Sequence, residues 1–176
     1  MLMKAEQATL LLIDVQEKLM PAISRGAEVA DRCTLLATVA GLLGVPVIGT
    51  EQVPEKLGPN LQSVRELCLH TVAKHHFDAC PHGLIDALPE GRQQIVIAGC
   101  EAHVCVLQTA LSLLDAGYKV WVVADATGSR NEFDQDLALD RLYQSGARIV
   151  TTEMVAFEWV GDSRHPAFRD IQALIK

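Results

Sequence analysis

Residues Gln94-Ile95-Val96-Ile97-Ala98-Gly99-Cys100-Glu101-Ala102-His103-Val104-Cys105-Val106 join an apolar run directly to the start of a helix-like stretch. After Gln94 the run is apolar at both odd and even positions, the pattern of a strand buried on both faces. Residues 102–116 carry an apolar stripe and stop at Gly117, where a left-handed cap meets no Cβ penalty. Strand, tight joint, helix and glycine stop make one half of a βαβ unit.

The same rhythm extends outward in both directions. Residues 9–13, 45–49, 119–124 and 148–152 read as further buried strands, and 71–74 as a short edge strand. Residues 28–43 stop at Gly44 and 134–145 at Gly146, each followed at once by a strand. A parallel crossover must cover a sheet face. The pattern therefore predicts an α/β fold, a three-layer α/β/α sandwich around a mostly parallel, Rossmann-like six-stranded sheet. Residues 52–60, with two prolines and a glycine, read as a loop; 61–69 and 81–88 read as helices, and 152–176 as one or two more. With no polar linker and no internal repeat, residues 1–176 are expected to form a single domain.

Composition narrows the function. Fifteen Lys plus Arg against 22 Asp plus Glu give a formal charge of −7, and no basic run offsets it. A small-molecule substrate is expected, with no nucleic-acid partner. No apolar run is long enough to span a bilayer, so no membrane partner is expected either. Five cysteines without a compact disulfide spacing, in a chain whose start lacks signal-peptide character, predict a reduced, cytoplasmic protein.

In an open parallel sheet, ligands bind beyond the carboxyl ends of the strands, near the reversal of strand order. Asp14 and Gln16 leave the first strand there, Thr50 and Glu51 the second, Lys74 the short one, and residues 99–105 and 125–130 the next two. Cys105 falls in the first turn of its helix, where free N–H groups and the macrodipole favour a thiolate and can hold an oxyanion. Asp14 is positioned to take a thiol proton and return it to a leaving amine; Lys74 is positioned to lower the thiol pKa and balance the carboxylate. Plainer roles compete. Cysteine is among the most buried residue types, a strand-end aspartate can cap the next turn, and a lysine is ordinarily solvated.

His75, His76, Asp78, Cys80 and His82 supply zinc-type donors within eight positions. Their spacing fits no zinc signature, so structural or pocket-lining histidines and no metal are expected. The chain lacks Gly-x-Gly-x-x-Gly, a Walker loop and Gly-x-Ser-x-Gly, and no cofactor is expected.

The segments Leu11-Leu12-Ile13-Asp14-Val15-Gln16, Thr50-Glu51-Gln52 with Leu57-Gly58, Lys74, residues 99–106, Gln108-Thr109-Ala110, Val123-Ala124-Asp125-Ala126, and Gly146-Ala147 with Thr151-Thr152-Glu153 occur in a telling order and spacing. Together they are similar to the isochorismatase-like cysteine hydrolase superfamily, and most to its isochorismatase-domain-containing branch. The resemblance implies a catalytic triad of Asp14, Lys74 and Cys105, with cysteine attack on a carbonyl and a covalent thioester-type intermediate that water hydrolyses. It also implies a non-proline cis peptide at Cys100-Glu101, an oxyanion hole from the backbone N–H groups of Glu101 and Cys105, and a homo-oligomer. The chain departs from the pattern at Glu51-Gln52-Val53-Pro54-Glu55, which has no histidine where metal-dependent nicotinamidases of the superfamily carry them. Ala102-His103 stands where many relatives have Thr-Asp. A cysteine at position 105, absent from true isochorismatases, turns the expectation toward an amide-like or related C–N bond.

Gln16, Glu51, Phe77, Glu101 and Trp159 are the expected pocket walls. The expected function is that of a metal-independent cysteine hydrolase. A non-enzymatic binding or scaffold protein on the same fold, and a redox role for Cys100 with Cys105, compete with it.

Overall fold

The computed structural model describes residues 1–176. In chain order the elements are β1 (Ala8–Ile13), α1 (Gly26–Leu42), β2 (Val47–Gln52), α2 (Pro54–Leu57), α3 (Gln62–Arg65), β3 (His70–Lys74), α4 (Leu84–Ala87) and β4 (Gln94–Cys100). A π-helical turn at Ala102–Val106 leads into α5 (Leu107–Asp115), followed by β5 (Lys119–Gly128), α6 (Glu132–Gln144), β6 (Arg148–Val150), α7 (Thr152–Val160) and α8 (Phe168–Ile175). The six strands form one sheet in the order β3-β2-β1-β4-β5-β6, and every neighbouring pair is parallel. The strand order reverses between β1 and β4, which opens a crevice above their carboxyl ends.

The two central strands are buried at every residue. Leu10, Leu12, Val96 and Ala98 face one side and pack with Leu36 of α1, Val155 of α7 and Ile171 of α8. Leu11, Ile13, Ile95 and Ile97 face the other and pack with Leu113 of α5 and Leu142 of α6. Alternate residues of the same strands thus feed both outer layers, so the three-layer α/β/α arrangement with a parallel six-stranded sheet is observed.

Several boundaries differ from the sequence-based expectation. β2 continues past Gly49 to Gln52 because Thr50, Glu51 and Gln52 pair with Val72, Ala73 and Lys74 of β3, which satisfies backbone groups that a loop would leave open. β5 continues past Ala124 because, beyond a register shift, Thr127 and Gly128 pair again with Gly99 and Cys100. The helix expected at 61–69 contracts to α3, since Leu69 N–H donates to Val47 O and draws the chain into β3. The loop at 52–60 contains the single turn of α2. No helix is long and apolar enough to cross a membrane.

Gly99 occupies the closest approach of the central strands. Its φ is +113°, and a Cβ there would lie 2.1 Å from Ile13 O, so only glycine lets β4 pass beside the last residue of β1.

Candidate active site

Asp14 follows the last residue of β1 with φ +49°, a left-handed conformation that aspartate tolerates better than most residues. This turns its carboxylate into the crevice. Oδ1 accepts from Thr50 Oγ1–H at 2.6 Å, and Oδ2 accepts from Lys74 Nζ at 2.8 Å. Both charged side chains of that pair are completely buried. A second acceptor, Gln52 Oε1, takes another Lys74 proton at 2.7 Å, while Gln52 Nε2 donates to His75 O at 2.6 Å. Buried charges persist only when paired and hydrogen-bonded, and here one carboxylate, one ammonium and one amide share that task.

Cys105 enters from the other side of the strand-order reversal. Its residue is 5% exposed, and its Sγ lies 3.9 Å from Gln52 Oε1. The turn that carries it is π-helical: Glu101 O accepts from both Val104 N–H and Val106 N–H, at 3.1 and 3.2 Å. The Cys100–Glu101 peptide is cis, and the Glu101 N–H has no hydrogen-bond partner.

Burial pushes the Cys105 thiol up to about 12, and the Asp14 charge adds to the rise while Lys74 opposes it. Burial and the neighbouring carboxylate thus oppose the thiolate that the helix start and Lys74 favour. The other four thiols are also raised by burial, and only Cys105 has a lysine opposing the rise. Its neighbours, not its resting charge, set it apart.

The expected pocket walls fare unevenly. Gln16 is fully buried and its amide is engaged: Nε2 donates to Gln52 O and Gly58 O, and Oε1 accepts from Gln52 N–H. It holds the end of β2 in place, with both ends of its amide already engaged. Glu51 Oε1 accepts from Asn60 N–H, fastening the following loop. Trp159 is buried with Val155, Ala156 and Ile171 in the core on the sheet face opposite Cys105, because α7 crosses that face. Phe77 is 51% exposed; its carbonyl accepts from Thr109 Oγ1–H, one turn beyond Cys105. Glu101 Oε2 accepts from Arg130 N–H at 2.9 Å and from Arg130 Nε–H at 3.1 Å.

Gln52 is the site residue that the sequence-based expectation missed. Its signal was the polar alternation Thr50-x-Gln52, which puts both side chains on one face once β2 is known to continue. The histidine segment does not gather into a ligand set. His76 and His82 stack with ring centroids 3.8 Å apart, Asp78 accepts from Cys80 N–H and Ser112 Oγ–H, and Cys80 Sγ–H points to Thr109 O. A polar cleft of about 270 Å³ between the starts of α1 and α6, bordered by Arg25, Arg32, Asp125 and Glu132, lies away from the triad residues.

A doubly wound parallel sheet with a buried acid, lysine and thiol at its strand-order reversal puts the chain among the hydrolase-type α/β enzymes. Residues 8–154 match the isochorismatase domain, and the chain belongs to the isochorismatase family. It is 40% identical over 171 residues to isochorismatase domain-containing protein 2 of Homo sapiens, covering 96% of this chain and 83% of the relative. Among solved structures it is similar to the MAR1 ribonuclease of Caenorhabditis elegans, with 34% identity, a TM-score of 0.94, and 99% of this chain and 92% of that one covered. It is also similar to Escherichia coli YcaC, an octameric hydrolase of unknown specificity, with 26% identity, a TM-score of 0.86, and 99% and 94% covered.

The ribonuclease likeness corrects the expectation of a small-molecule substrate with nucleic acid excluded. Net charge averages over a whole surface and does not describe the mouth of one crevice. A chain of charge −7 can still present a local cation where its ligand enters.

Proposed function

We propose that the chain is a cysteine hydrolase that cleaves an amide-like or related C–N bond through a thioester-type intermediate, with Asp14, Lys74 and Cys105 as its catalytic residues. The meeting of a buried Lys74–Asp14 pair and the Cys105 thiol around one amide, Gln52, carries this reading. Substrate attack and proton removal are coupled. As sulfur bonds to the acyl carbon, its proton passes to Asp14, and the carbonyl oxygen takes negative charge beside the Glu101 and Cys105 N–H groups. Collapse breaks the C–N bond and Asp14 returns the proton to the leaving nitrogen. Asp14 then takes a proton from water as the water oxygen attacks the thioester carbon; the C–S bond breaks, the carboxylic acid leaves, and Asp14 returns the proton to the sulfur. Lys74 holds the carboxylate in place through both steps by its hydrogen bond to Oδ2. Phe77, at the surface beyond β3, is positioned to cover a flat substrate.

A second reading follows from the ribonuclease neighbour: Asp14 activates a hydroxyl for attack on an RNA phosphodiester, with no role for sulfur. Two variants separate the readings. Incubation with an aryl-amide panel, followed by intact mass spectrometry, should give an acyl adduct and amine release in the wild type. Turnover should fall by about 10³-fold or more in both Cys105→Ala and Asp14→Asn. Amide turnover that survives Cys105→Ala overturns the thioester mechanism. Cleavage of a labelled RNA oligonucleotide that survives Cys105→Ala but not Asp14→Asn establishes the second reading instead.

A further inference from the structure

The cleft between the starts of α1 and α6 is separate from the catalytic crevice, since none of Asp14, Lys74 and Cys105 borders it. It holds about 270 Å³, just below the roughly 300–1,000 Å³ of drug-sized pockets, and only Val29 and Ala124 among its lining residues are apolar. A small, strongly polar molecule matches that volume and that lining.

Its two walls carry opposite charge. α1 and the residue before it present Arg25 and Arg32; α6 presents Glu132, Gln135 and Asp136. The helix starts sharpen the difference. Asn131 Oδ1 caps α6 by accepting from Phe133 N–H at 3.0 Å, whereas no side chain caps α1, whose first N–H groups add positive character to that wall. The walls do not neutralise each other. One hydrogen bond joins them, Ser24 Oγ–H to Glu132 Oε1 at 2.9 Å, and no ion pair does. Arg25 is paired with Glu28 along its own helix, and Arg32 approaches only Asp125 Oδ2, at 3.9 Å. That carboxylate is itself engaged at Oδ1 by Thr152 N–H and Oγ1–H.

A buried group completes the cleft. Thr127 of β5 borders it and is fully buried, yet its Oγ1 has no hydrogen-bond partner. An unsatisfied buried hydroxyl costs stability, and a polar ligand atom at the cleft floor would satisfy it. The acids are not arranged as a metal cage, because no three His, Cys, Asp or Glu side chains come together.

We propose that this cleft is a second binding site, for a small zwitterion whose carboxylate faces Arg32 and whose ammonium faces Asp136. A purely anionic ligand would meet the α6 carboxylates, and a purely cationic one the α1 guanidinium groups. Only a molecule that carries both charges is complementary to both walls.

The ω-amino acids from glycine to 6-aminohexanoate vary the separation of the two charges and serve as probes, with butyrate and butylammonium as single-charge controls. Binding to the full ¹⁵N-labelled chain is followed through backbone amide shifts at about 0.01 M ionic strength, where charges act over about 30 Å. The best-matched ω-amino acid should shift Val29 and Thr127 and bind about fivefold more tightly than either control, the scale of a partly exposed ion pair. Arg32→Gln and Asp136→Asn should each remove that advantage. Both side chains are exposed, so the variants should melt as the wild type does. Arg65→Gln, at an exposed arginine of α3 outside the cleft, should leave binding unchanged.

Equal binding by the ω-amino acids and the single-charge controls overturns the zwitterion. Binding that keeps its strength in both cleft variants, or shifts confined to residues around Cys105, places the ligand elsewhere and overturns the site. Absence of any shift up to about 0.1 M probe, far weaker than the millimolar range, overturns it as well.

Discussion

The β1–β2–β3 side of the crevice is closed and densely hydrogen-bonded, whereas the β4–β5 side is left open. On the first side Asp14, Thr50, Gln52 and Lys74 satisfy one another inside the protein, and Gln16 and Asn60 brace them from behind. On the second, Cys105 Sγ makes a single long hydrogen bond, to Gln52, and the Glu101 N–H makes none. The difference separates two tasks. Charges that must stay in place are buried and paired, while the atoms that would meet a substrate keep their bonding capacity free.

Breaking the closed side should have the largest effect. Lys74→Met leaves the Asp14 carboxylate buried without its cation, a loss of about 3–5 kcal/mol of stability. For a chain of this size that corresponds to a Tm lower by about 10 °C in a thermal melt. A melt within 2 °C of the wild type, on the scale of about half a kcal/mol, would mean that the pair contributes little.

The open side should respond to pH. With its thiol pushed up to about 12, Cys105 should be alkylated by iodoacetamide about a hundredfold faster at pH 11 than at pH 9, without a plateau at the ordinary thiol range. The same shift acts on stability. Below about pH 9 folded and unfolded thiols are both protonated; between 9 and 12 the unfolded chain loses the proton first, so this contribution declines as pH rises. An alkylation plateau near neutral pH would show that Lys74 outweighs burial and Asp14.

Gln52 links the two sides, and its replacement sharpens the contrast. Gln52→Leu removes an acceptor from Lys74 and a donor from His75 O, with an expected loss of about 2 kcal/mol in urea unfolding. The smallest effect belongs to Val53, a β-branched residue at φ +41° directly after Gln52. Val53→Asn relieves that strain and should raise stability by about 1 kcal/mol. A decrease in the same unfolding assay would mean that valine packing outweighs backbone strain.

The architecture was legible because its signals are repeated: apolar runs, helix stripes and glycine stops recur along the chain and agree with one another. Asp14, Lys74 and Cys105 were legible because each ends or follows a buried element. Residues whose work is done by side chains across the sheet were harder to place. Gln16 resembles a pocket residue until its amide is seen fastening Gln52 and Gly58, and Trp159 until α7 carries it to the opposite face. The end of β2 was misjudged because polar residues in a strand look like a loop when the neighbouring strand that pairs with them is unknown. Burial of the thiol beside Asp14 is likewise a property of the assembled crevice, not of the local helix start, and has no signal in the sequence.

Because all six strands run the same way, the glycine turns at Gly44, Gly117 and Gly146 stand at the far rim from Asp14, Lys74 and Cys105. A Cβ built at any of the three meets no neighbouring atom. That rim is where a fluorophore, a surface tether or an inserted peptide can be grafted while the reactive end stays untouched, which gives the molecule a natural handle for immobilisation.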